Sequence, residues 1–320
     1  MCGLLVIGST GLLGQALETH AQMRGLPCEG AARSGARHSV DVTDSTQLKD
    51  LVSRLEPSIV INCAAVTNLE VCERRNALAY AVNARAVALL AGLSVELDLA
   101  FVHVSTDHFF TGDGPAVHDE LAKVRLVNEY ARTKYAGEAF ALTSPRALVV
   151  RTNIVGRRGW PARPTFAEWA LDSLENDHPI VLYEDFFTSS IHSGALARAI
   201  LDLVDGGARG LLNVASSQVS SKRAFVEALA EEAGIKANLC RGSVRELTPV
   251  RADSLGLDVS RAEQLLGRRL PDLRETVRAV LAEHRGTALA GEQDPLPVAA
   301  TVSAHVPITA STSSRVQGGQ

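Results

Sequence analysis

The sequence predicts an α/β fold in which a doubly wound parallel sheet precedes a small C-terminal lobe. Short apolar runs alternate with longer helical segments through the first half of the chain, and this alternation is typical of parallel strands joined by crossover helices. A glycine-rich turn follows the first apolar run, and prolines break the pattern beyond Thr152. The length of 320 residues suits about two domains, or one large domain with an added lobe.

The first strand is predicted at Leu4 to Ile7, because this run is short, apolar throughout and ended by Gly8. Apolar runs without alternation indicate strands that are buried on both faces. Further strands are predicted at Ser58 to Asn62, Leu99 to Ser105 and Ala147 to Arg151. Helices with helical periodicity lie between them, at Gly11 to Arg24, Gln47 to Leu55, Ala77 to Leu93 and Asn128 to Leu142.

The second half is less regular. It contains candidate helices at Phe166 to Leu174, Ser193 to Val204, Lys222 to Ala233 and Ser260 to Leu266, with strands at Ile180 to Tyr183 and Gly210 to Val214. We therefore predict a sheet domain of residues 1–151 with part of 186–214, and a smaller lobe of residues 152–185 and 215–286. Residues 287–320 are rich in Ala, Thr, Ser, Pro and Gly and are expected to form a disordered tail.

Composition excludes several classes of protein. Lys and Arg number 32 against 36 Asp and Glu, a net charge of −4, which provides no overall field for binding nucleic acid or anionic lipid. The 5 cysteines are scattered without a Cys-x-x-Cys pair, which argues against a disulfide framework and a zinc site. Since no uninterrupted apolar run approaches the roughly 18 residues of a membrane span, a cytoplasmic protein without membrane or nucleic-acid partners is expected. His108, His118 and Asp119 do not have the spacing of a helical ligand pair, so no metal site is expected.

The glycine turn is the first candidate binding site. Gly8, Gly11 and Gly14 follow the first strand and open the first helix, where a Rossmann-like sheet binds the pyrophosphate of a dinucleotide. Their G-x-x-G-x-x-G spacing differs from the more familiar G-x-G-x-x-G. Arg33 follows the expected second strand, and an arginine there pairs with the 2′-phosphate of NADP. NADPH is therefore the predicted cofactor, with NADH as the alternative.

A tyrosine and a lysine form the second candidate site. Tyr130 and Lys134 are four residues apart in a predicted helix, so they lie on one face of it. A neighbouring ammonium stabilises a phenolate, and we expect Lys134 to lower the pKa of Tyr130 so that it can protonate a carbonyl oxygen. Ser105 and Thr106 end the preceding strand, at the edge where open α/β sheets bind ligands. Either hydroxyl could bond the same oxygen.

With these features in this order, the chain resembles an extended short-chain dehydrogenase/reductase of the dTDP-4-dehydrorhamnose reductase-like branch. The resemblance rests mainly on the first half of the chain, with a weaker similarity at Leu257 to Gly267. The matching segments are GSTGLLGQAL (Gly8 to Leu17), DVTD (Asp41 to Asp44), NCAAVTNLEVCE (Asn62 to Glu73), VN (Val82 and Asn83), STDHFFTG (Ser105 to Gly112), NEYARTKYAGE (Asn128 to Glu138) and RTNIVG (Arg151 to Gly156).

The resemblance implies an NAD(P)H-dependent oxidoreductase that reduces a ketone of a nucleotide-activated 4-keto-6-deoxyhexose, with Thr106, Tyr130 and Lys134 as catalytic residues. It implies a homodimer as the assembly to expect, since the family often pairs through helices that flank the cofactor domain. The cofactor would be bound by Gly8, Thr10, Gly11, Leu12, Leu13, Gly14, Arg33, Asp41, Val42, Ala64, Ala65, Tyr130 and Lys134. The candidate residues for the sugar nucleotide are Ser105, Asp107, Asn153, Arg157 and Arg251.

Departures from the family pattern lie in the substrate half. Family members usually have Arg-Thr-Ser-Trp where this chain has Arg151 to Ile154, and Arg-Pro where it has Arg251 and Ala252. These differences leave the choice of sugar open. Two other functions also stay open: an epimerase or dehydratase of the same superfamily, and a non-catalytic NADP-binding regulatory subunit.

Overall fold

The central feature of the computed structural model is a parallel sheet of 7 strands. The structure describes residues 3–286. In the order β12-β7-β5-β4-β1-β2-β3, the sheet strands are Gly210–Asn213 (β12), Ala147–Arg151 (β7), Ala100–Val104 (β5), Ile59–Asn62 (β4), Leu4–Ile7 (β1), Cys28–Ala32 (β2) and His38–Ser39 (β3). All neighbouring pairs run parallel. The strand order reverses direction at β1, as in a doubly wound sheet, so the predicted fold class is confirmed.

Residues 3–286 form 11 α-helices, several of which cover the two faces of this sheet. They are Leu12–Met23 (α1), Ser45–Leu55 (α2), Leu69–Arg74 (α3), Asn76–Tyr80 (α4), Ala86–Glu96 (α5), Glu129–Ala141 (α6), Phe166–Glu175 (α7), Ser193–Asp205 (α8), Lys222–Ala233 (α9), Ser260–Leu266 (α10) and Leu273–His284 (α11). The predicted bounds of β1, β7, α9, α10 and the strand Ile180–Tyr183 are confirmed without change. The helix predicted at Ala77 to Leu93 is divided into α4, a π-helical turn and α5, and the other predicted helices and strands shift by one or two residues. The sequence analysis missed α3 and α11.

The first strand shows why continuous apolar runs form this sheet. Leu4 and Val6 point into one hydrophobic core, which α1 and α8 complete. Leu5 and Ile7 point into a second core on the opposite face, with α2 and α5. All four side chains are at most 2% exposed, so both faces of the strand need apolar residues.

The segment Asn76–Glu96 joins α4 and α5 through a π-helical turn, Ala81–Arg85. It is long and apolar enough to cross a membrane by length and composition, although the sequence analysis found no such span. The two findings differ because Asn83 and Arg85 interrupt the apolar run without lowering its mean hydropathy much. Core helices of soluble proteins have the same properties, and this helix packs Ala86, Val87 and Leu90 against the sheet.

The segments predicted to form the smaller lobe surround a third hydrophobic core. Side chains of α7, α9, α11 and the strand Ile180–Tyr183 (β9) make up this core. Short strands complete the fold: Val117–His118 (β6), Asn153–Val155 (β8), Phe187–Thr188 (β10), Ser190–His192 (β11), Ser220–Ser221 (β13), Leu239–Gly242 (β14) and Ser254–Leu257 (β15). The boundary between the sheet domain and the lobe stays a prediction, and the predicted tail lies outside the described residues.

Candidate active site

The glycine turn after β1 is packed too closely for side chains. A Cβ atom on Gly14 would lie 2.4 Å from the carbonyl oxygen of Gly8, and one on Gly8 would lie 2.7 Å from the backbone nitrogen of Ala64. Gly8 also has a φ of 84°, which favours glycine. Gly11 is different, because a Cβ there would meet only the oxygen of Gly8, at 3.2 Å. The turn is thus a bare backbone cradle at the start of α1, and it fits the pyrophosphate of a dinucleotide.

A cavity of about 580 Å³ continues from this turn, a volume typical of small-molecule sites. Ser9 and Thr10 line one side, and Ser34, Gly35 and Arg37 from the loop after β2 line another. Arg33 follows the last residue of β2 and is exposed. Strand β2 therefore ends where the sequence analysis expected it to end.

The other predicted cofactor residues lie along the same edge of the sheet. Asp41 is close enough to Arg33 for the guanidinium to help lower the pKa of its carboxyl, although hydrogen bonds from Thr43 lower it more. Val42 borders a second cavity beside Arg85. Ala64 follows β4 and contacts Gly8, and Ala65 comes next along the chain. Leu12 and Leu13 begin α1. Their contacts with a cofactor stay predictions.

Tyr130, Lys134 and Thr106 meet at the carboxyl end of β5. Asn128 caps α6 by accepting a hydrogen bond from the backbone of Ala131, so that α6 begins one residue before Tyr130. The side chain of Lys134 is buried, and its Nζ donates to the carbonyl oxygen of Val104 at 2.7 Å. The side chain of Thr106 lies close enough to the phenol of Tyr130 to act on its pKa as a hydrogen-bond partner. The structure thus brings the three predicted catalytic side chains to one place.

The electrostatics of Tyr130 differ from the sequence-based expectation. Burial raises the pKa of Tyr130 far above its ordinary value, and the hydrogen bond with Thr106 only partly offsets this. Burial also lowers the pKa of Lys134 to about 8. The ammonium of Lys134 is held by the Val104 carbonyl, and the cost of burying a phenolate dominates. Tyr130 is therefore a neutral proton donor here.

The predicted substrate residues divide into two groups. A chain of hydrogen bonds links Thr106 to Asp107 (3.4 Å), Asp107 to Asn153 (2.8 Å) and Asn153 to Ser190 (2.7 Å). Ser105 lies beside this chain, and its Oγ has no hydrogen-bond partner among the described residues. This chain of hydrogen bonds connects Asp107 and Asn153 to Thr106, and contact of Ser105, Asp107 and Asn153 with a substrate stays a prediction.

Arg251 and Arg157 form the second group. Arg251 is close enough to His108 to help lower the pKa of that imidazole, and His108 packs edge-on against the ring of Tyr130. Buried nitrogens of Arg251 (Nε) and His108 (Nδ1) have no hydrogen-bond partner in residues 3–286. Arg157 is exposed, and its backbone nitrogen donates to Glu283. The structure does not bring Arg157 to Tyr130 by any recorded contact.

Lys222 is a candidate site residue that sequence reasoning missed. Its Nζ lies 4.4 Å from the centre of the Phe166 ring and 5.9 Å from that of Phe186, and it donates to Ser190 at 3.4 Å. Burial raises the pKa of Asp107, and the charge of Lys222 offsets part of this rise. A lysine at the first position of a helix is usually exposed, so no sequence signal pointed to a buried ammonium here.

The buried carboxyl of Asp107 should make the stability of the protein depend on pH. Burial raises the pKa of this carboxyl to about 7, above its unfolded value, so its contribution to stability is full below about pH 4 and is lost as the pH rises to about 7. As the pH rises from about 4.5 to about 7.5, we expect the free energy of unfolding of Asp107→Asn to increase relative to that of wild type by on the order of 2–4 kcal/mol. Urea unfolding measures both proteins.

The quantity to compare is the free energy of unfolding of the variant minus that of wild type. The subtraction is needed because burial lowers the pKa of His108 to about 4, so its contribution to stability has the opposite pH dependence and is present in both proteins. Asp205→Asn is the matched control, since it makes the same change at a side chain that is 61% exposed; we expect it to change the free energy of unfolding by less than about 1 kcal/mol. An Asp107→Asn difference that stays constant over the same range would contradict the buried, proton-holding carboxyl.

The doubly wound sheet, the glycine cradle after β1 and the Tyr130, Lys134 and Thr106 cluster define the class of protein: a Rossmann-fold oxidoreductase of the short-chain dehydrogenase/reductase-like superfamily. Within this class, the chain belongs to the family described as RmlD substrate binding domain, whose family model matches residues 2–285. The resemblance inferred from the sequence motifs is thereby confirmed.

Relatives of similar length carry reductase names. A probable low-salt glycan biosynthesis reductase of Haloferax volcanii is 31% identical over 289 residues, which cover 87% of this chain and 96% of the relative. A dTDP-4-dehydrorhamnose reductase of Mycolicibacterium smegmatis is 32% identical over 303 residues, which cover 92% of this chain and 88% of the relative.

Solved structures share the fold. A dTDP-4-dehydrorhamnose reductase of Bacillus anthracis in complex with NADP has a TM-score of 0.79 at 24% identity, covering 88% of this chain and 100% of that one. A hypothetical dTDP-4-dehydrorhamnose reductase of Sulfolobus tokodaii has a TM-score of 0.74 at 26% identity, covering 85% of this chain and 98% of that one.

Proposed function

We propose that the protein is an NADPH-dependent reductase that acts on the ketone of a nucleotide-activated 4-keto-6-deoxyhexose. The observation that carries the proposal is the buried Tyr130 phenol, close to Thr106 and beside Lys134, at the sheet edge that also holds the glycine cradle. The names of the relatives support the substrate class. The NADP in the Bacillus anthracis structure supports the cofactor.

Each of the three side chains has a task in the proposed reaction. Tyr130 gives its hydroxyl proton to the ketone oxygen, which turns the C=O into C–OH once the carbon has accepted a hydride. Thr106 bonds the same oxygen and orients it. Lys134, by resemblance to the family, holds the nicotinamide ribose. Bound NADPH would supply the hydride.

The surroundings of Tyr130 fit a polar substrate. Ser105 Oγ, His108 Nδ1 and Arg251 Nε are buried polar atoms without a partner within residues 3–286, and unpaired buried donors and acceptors are costly unless a ligand or water pairs them. Sugar hydroxyls and phosphate oxygens supply such partners. We therefore place the sugar nucleotide against Ser105, Asp107, Asn153 and Arg251, with Lys222 at the same wall.

The remaining assignments are part of the same proposal. Relatives of this kind act on activated sugars, which are cytosolic metabolites, so a cytoplasmic location is proposed. A homodimer is proposed from the family resemblance. Nucleic-acid and membrane partners are not proposed, because the net charge of −4 provides no attraction for polyanions.

The test is a panel of nucleotide keto-sugars incubated with purified protein and NADPH. The proposal expects stoichiometric NADPH oxidation with a dTDP-4-keto-6-deoxyhexose and formation of the corresponding alcohol. Conversion of a sugar without net cofactor consumption would show an epimerase or dehydratase instead. Tight NADPH binding with no oxidation by any keto-sugar would point to the regulatory subunit.

Arg33 predicts the choice between the two cofactors. Its guanidinium follows β2, where the 2′-phosphate of NADPH would lie. We expect Arg33→Ala to raise the KM for NADPH by about tenfold and to leave the KM for NADH within about twofold, since one charged hydrogen bond contributes about 1.5–3 kcal/mol. Arg75→Ala, a change at another exposed arginine, serves as control. Equal losses with both cofactors would remove the assignment of Arg33 to the 2′-phosphate.

A further inference from the structure

The loop of residues 157–164 lies against the glycine turn. The side-chain amide of Gln15, in α1, donates to the carbonyl oxygen of Thr10 at 2.9 Å and to that of Arg158 at 3.3 Å. One amide group therefore connects the two loops. The sequence analysis placed Arg157 of this loop at the substrate, whereas this contact joins the loop to the cofactor turn.

The loop is fixed at its other end by Glu168 in α7. The carboxylate of Glu168 accepts from the backbone nitrogens of Arg158 at 3.1 Å, Gly159 at 2.6 Å and Thr165 at 2.7 Å. These charge-assisted hydrogen bonds hold the loop backbone in one conformation. Trp160 follows Gly159 in this loop, and its ring stacks on the Arg158 guanidinium at 4.4 Å.

Trp160 forms one wall of the 580 Å³ cavity, together with Ser9, Thr10, Ser34 and Gly35. Trp160 is 39% exposed, so part of its side chain is available for contact with a molecule bound in this cavity. Arg37, also at the cavity, is bound by Glu29 at 2.9 Å. Glu18 reaches the cavity as well, but its carboxyl bonds to Ser9 and has a raised pKa because of its burial. Arg158 does not line the cavity itself, and its guanidinium reaches it only through the Trp160 ring, on which it stacks at 4.4 Å.

We propose that Trp160 is a cofactor-binding residue whose ring packs on the adenosine 2′-phosphate half of NADP, with Arg158 behind it adding positive charge. This inference rests on the proposed function and extends it to a loop that the glycine turn does not include. An aromatic ring against a nucleotide excludes water from the adenosine half and strengthens the attraction between the phosphate and the guanidinium. The same ring serves as a built-in reporter.

The experiment uses the fact that the chain has 2 tryptophans. Trp169 is the matched control, because it is equally exposed, at 39%, and packs on Phe166 within α7. Trp169→Phe leaves Trp160 as the sole indole, and Trp160→Phe leaves Trp169. Each variant is titrated with NADP⁺, with 2′,5′-ADP and with dTDP while tryptophan emission is recorded. These three ligands are chosen because none contains the reduced nicotinamide ring of NADPH, which would quench tryptophan emission by energy transfer wherever the tryptophan lies.

NADP⁺ and 2′,5′-ADP are expected to quench the emission of the Trp169→Phe protein and to leave that of the Trp160→Phe protein unchanged. Trp160→Ala is expected to raise the Kd of NADP⁺ by about tenfold, the equivalent of a stacked aromatic contact, while Trp169→Ala leaves it unchanged. An emission change with dTDP alone would overturn the inference and assign the loop to the substrate.

The outcomes separate this inference from the proposed function. If wild type binds NADP⁺ and reduces a keto-sugar while Trp160 emission and the Trp160→Ala affinity stay at their wild-type values, the inference fails and the reductase stands. If wild type itself does not bind NADP⁺, the proposed function is wrong, and this inference, which rests on it, is wrong as well.

Discussion

Replacing Tyr130 with Phe is expected to lower kcat of ketone reduction by about 10³-fold, within the range of about 10² to 10⁴ that general acid catalysis contributes. The phenol is the buried proton donor next to Thr106, and Phe keeps the ring while removing the hydroxyl. The Kd of NADP⁺ should stay within about twofold, because the glycine turn and the cavity remain intact. Stopped-flow NADPH oxidation and equilibrium binding measure the two quantities.

Tyr135→Phe is the matched control, since Tyr135 lies in the same helix but is 39% exposed and contacts Phe109 by its ring. Its turnover should equal that of wild type. A Tyr130→Phe protein with near wild-type turnover would remove Tyr130 from the mechanism. Because the pKa of Tyr130 is raised, the reduction rate should also show no loss from ionisation of this phenol below about pH 9.

The sheet was predictable because burial on both faces demands continuous apolar runs, and Leu4–Ile7 and Ala147–Arg151 carry them. Helix Leu273–His284 was missed because Arg274, Glu275 and Arg278 interrupt the apolar positions of its first half. Its Asp272 and Glu275 form a capping box, a sequence signal that could have found it. Strands of two residues, such as Phe187–Thr188, are too short to show periodicity and depend on pairing with distant segments.

The residues of the candidate site were likewise predictable only in part. Thr106, Tyr130 and Lys134 come from one strand end and one helix turn, so their spacing along the chain predicts their proximity in space. Lys222 reaches the site from a distant helix, and only the packing of its stem and ammonium against Phe166 and Phe186 places it there. The raised pKa of Tyr130 likewise depends on burial, which local sequence does not report.

A buried ion pair joins the site to the core. Glu138, in α6 one turn beyond Lys134, accepts from Arg151 at the end of β7 through bonds of 2.9 Å and 2.8 Å. The two side chains are 2% and 3% exposed. Arg151 also lies over the ring of Phe109 at 5.1 Å. The negative charge of Glu138 acts against the lowering of the Lys134 pKa, so this pair supports both folding and the catalytic lysine.

Glu138→Gln is expected to lower the free energy of unfolding by about 3–5 kcal/mol, because it leaves the Arg151 guanidinium buried without a counter-charge. Arg151→Met should cost a similar amount by isolating the carboxylate. The double variant Glu138→Gln with Arg151→Met should recover much of the loss, since neither charge is then left alone. Urea unfolding at pH 7 measures all three. The exposed pair of Glu70 and Arg74, at 59% and 79% exposure, is the control, and Glu70→Gln should cost less than about 0.5 kcal/mol. If the two single losses simply add in the double variant, the two residues act independently and the pair does not stabilise the junction between α6 and β7.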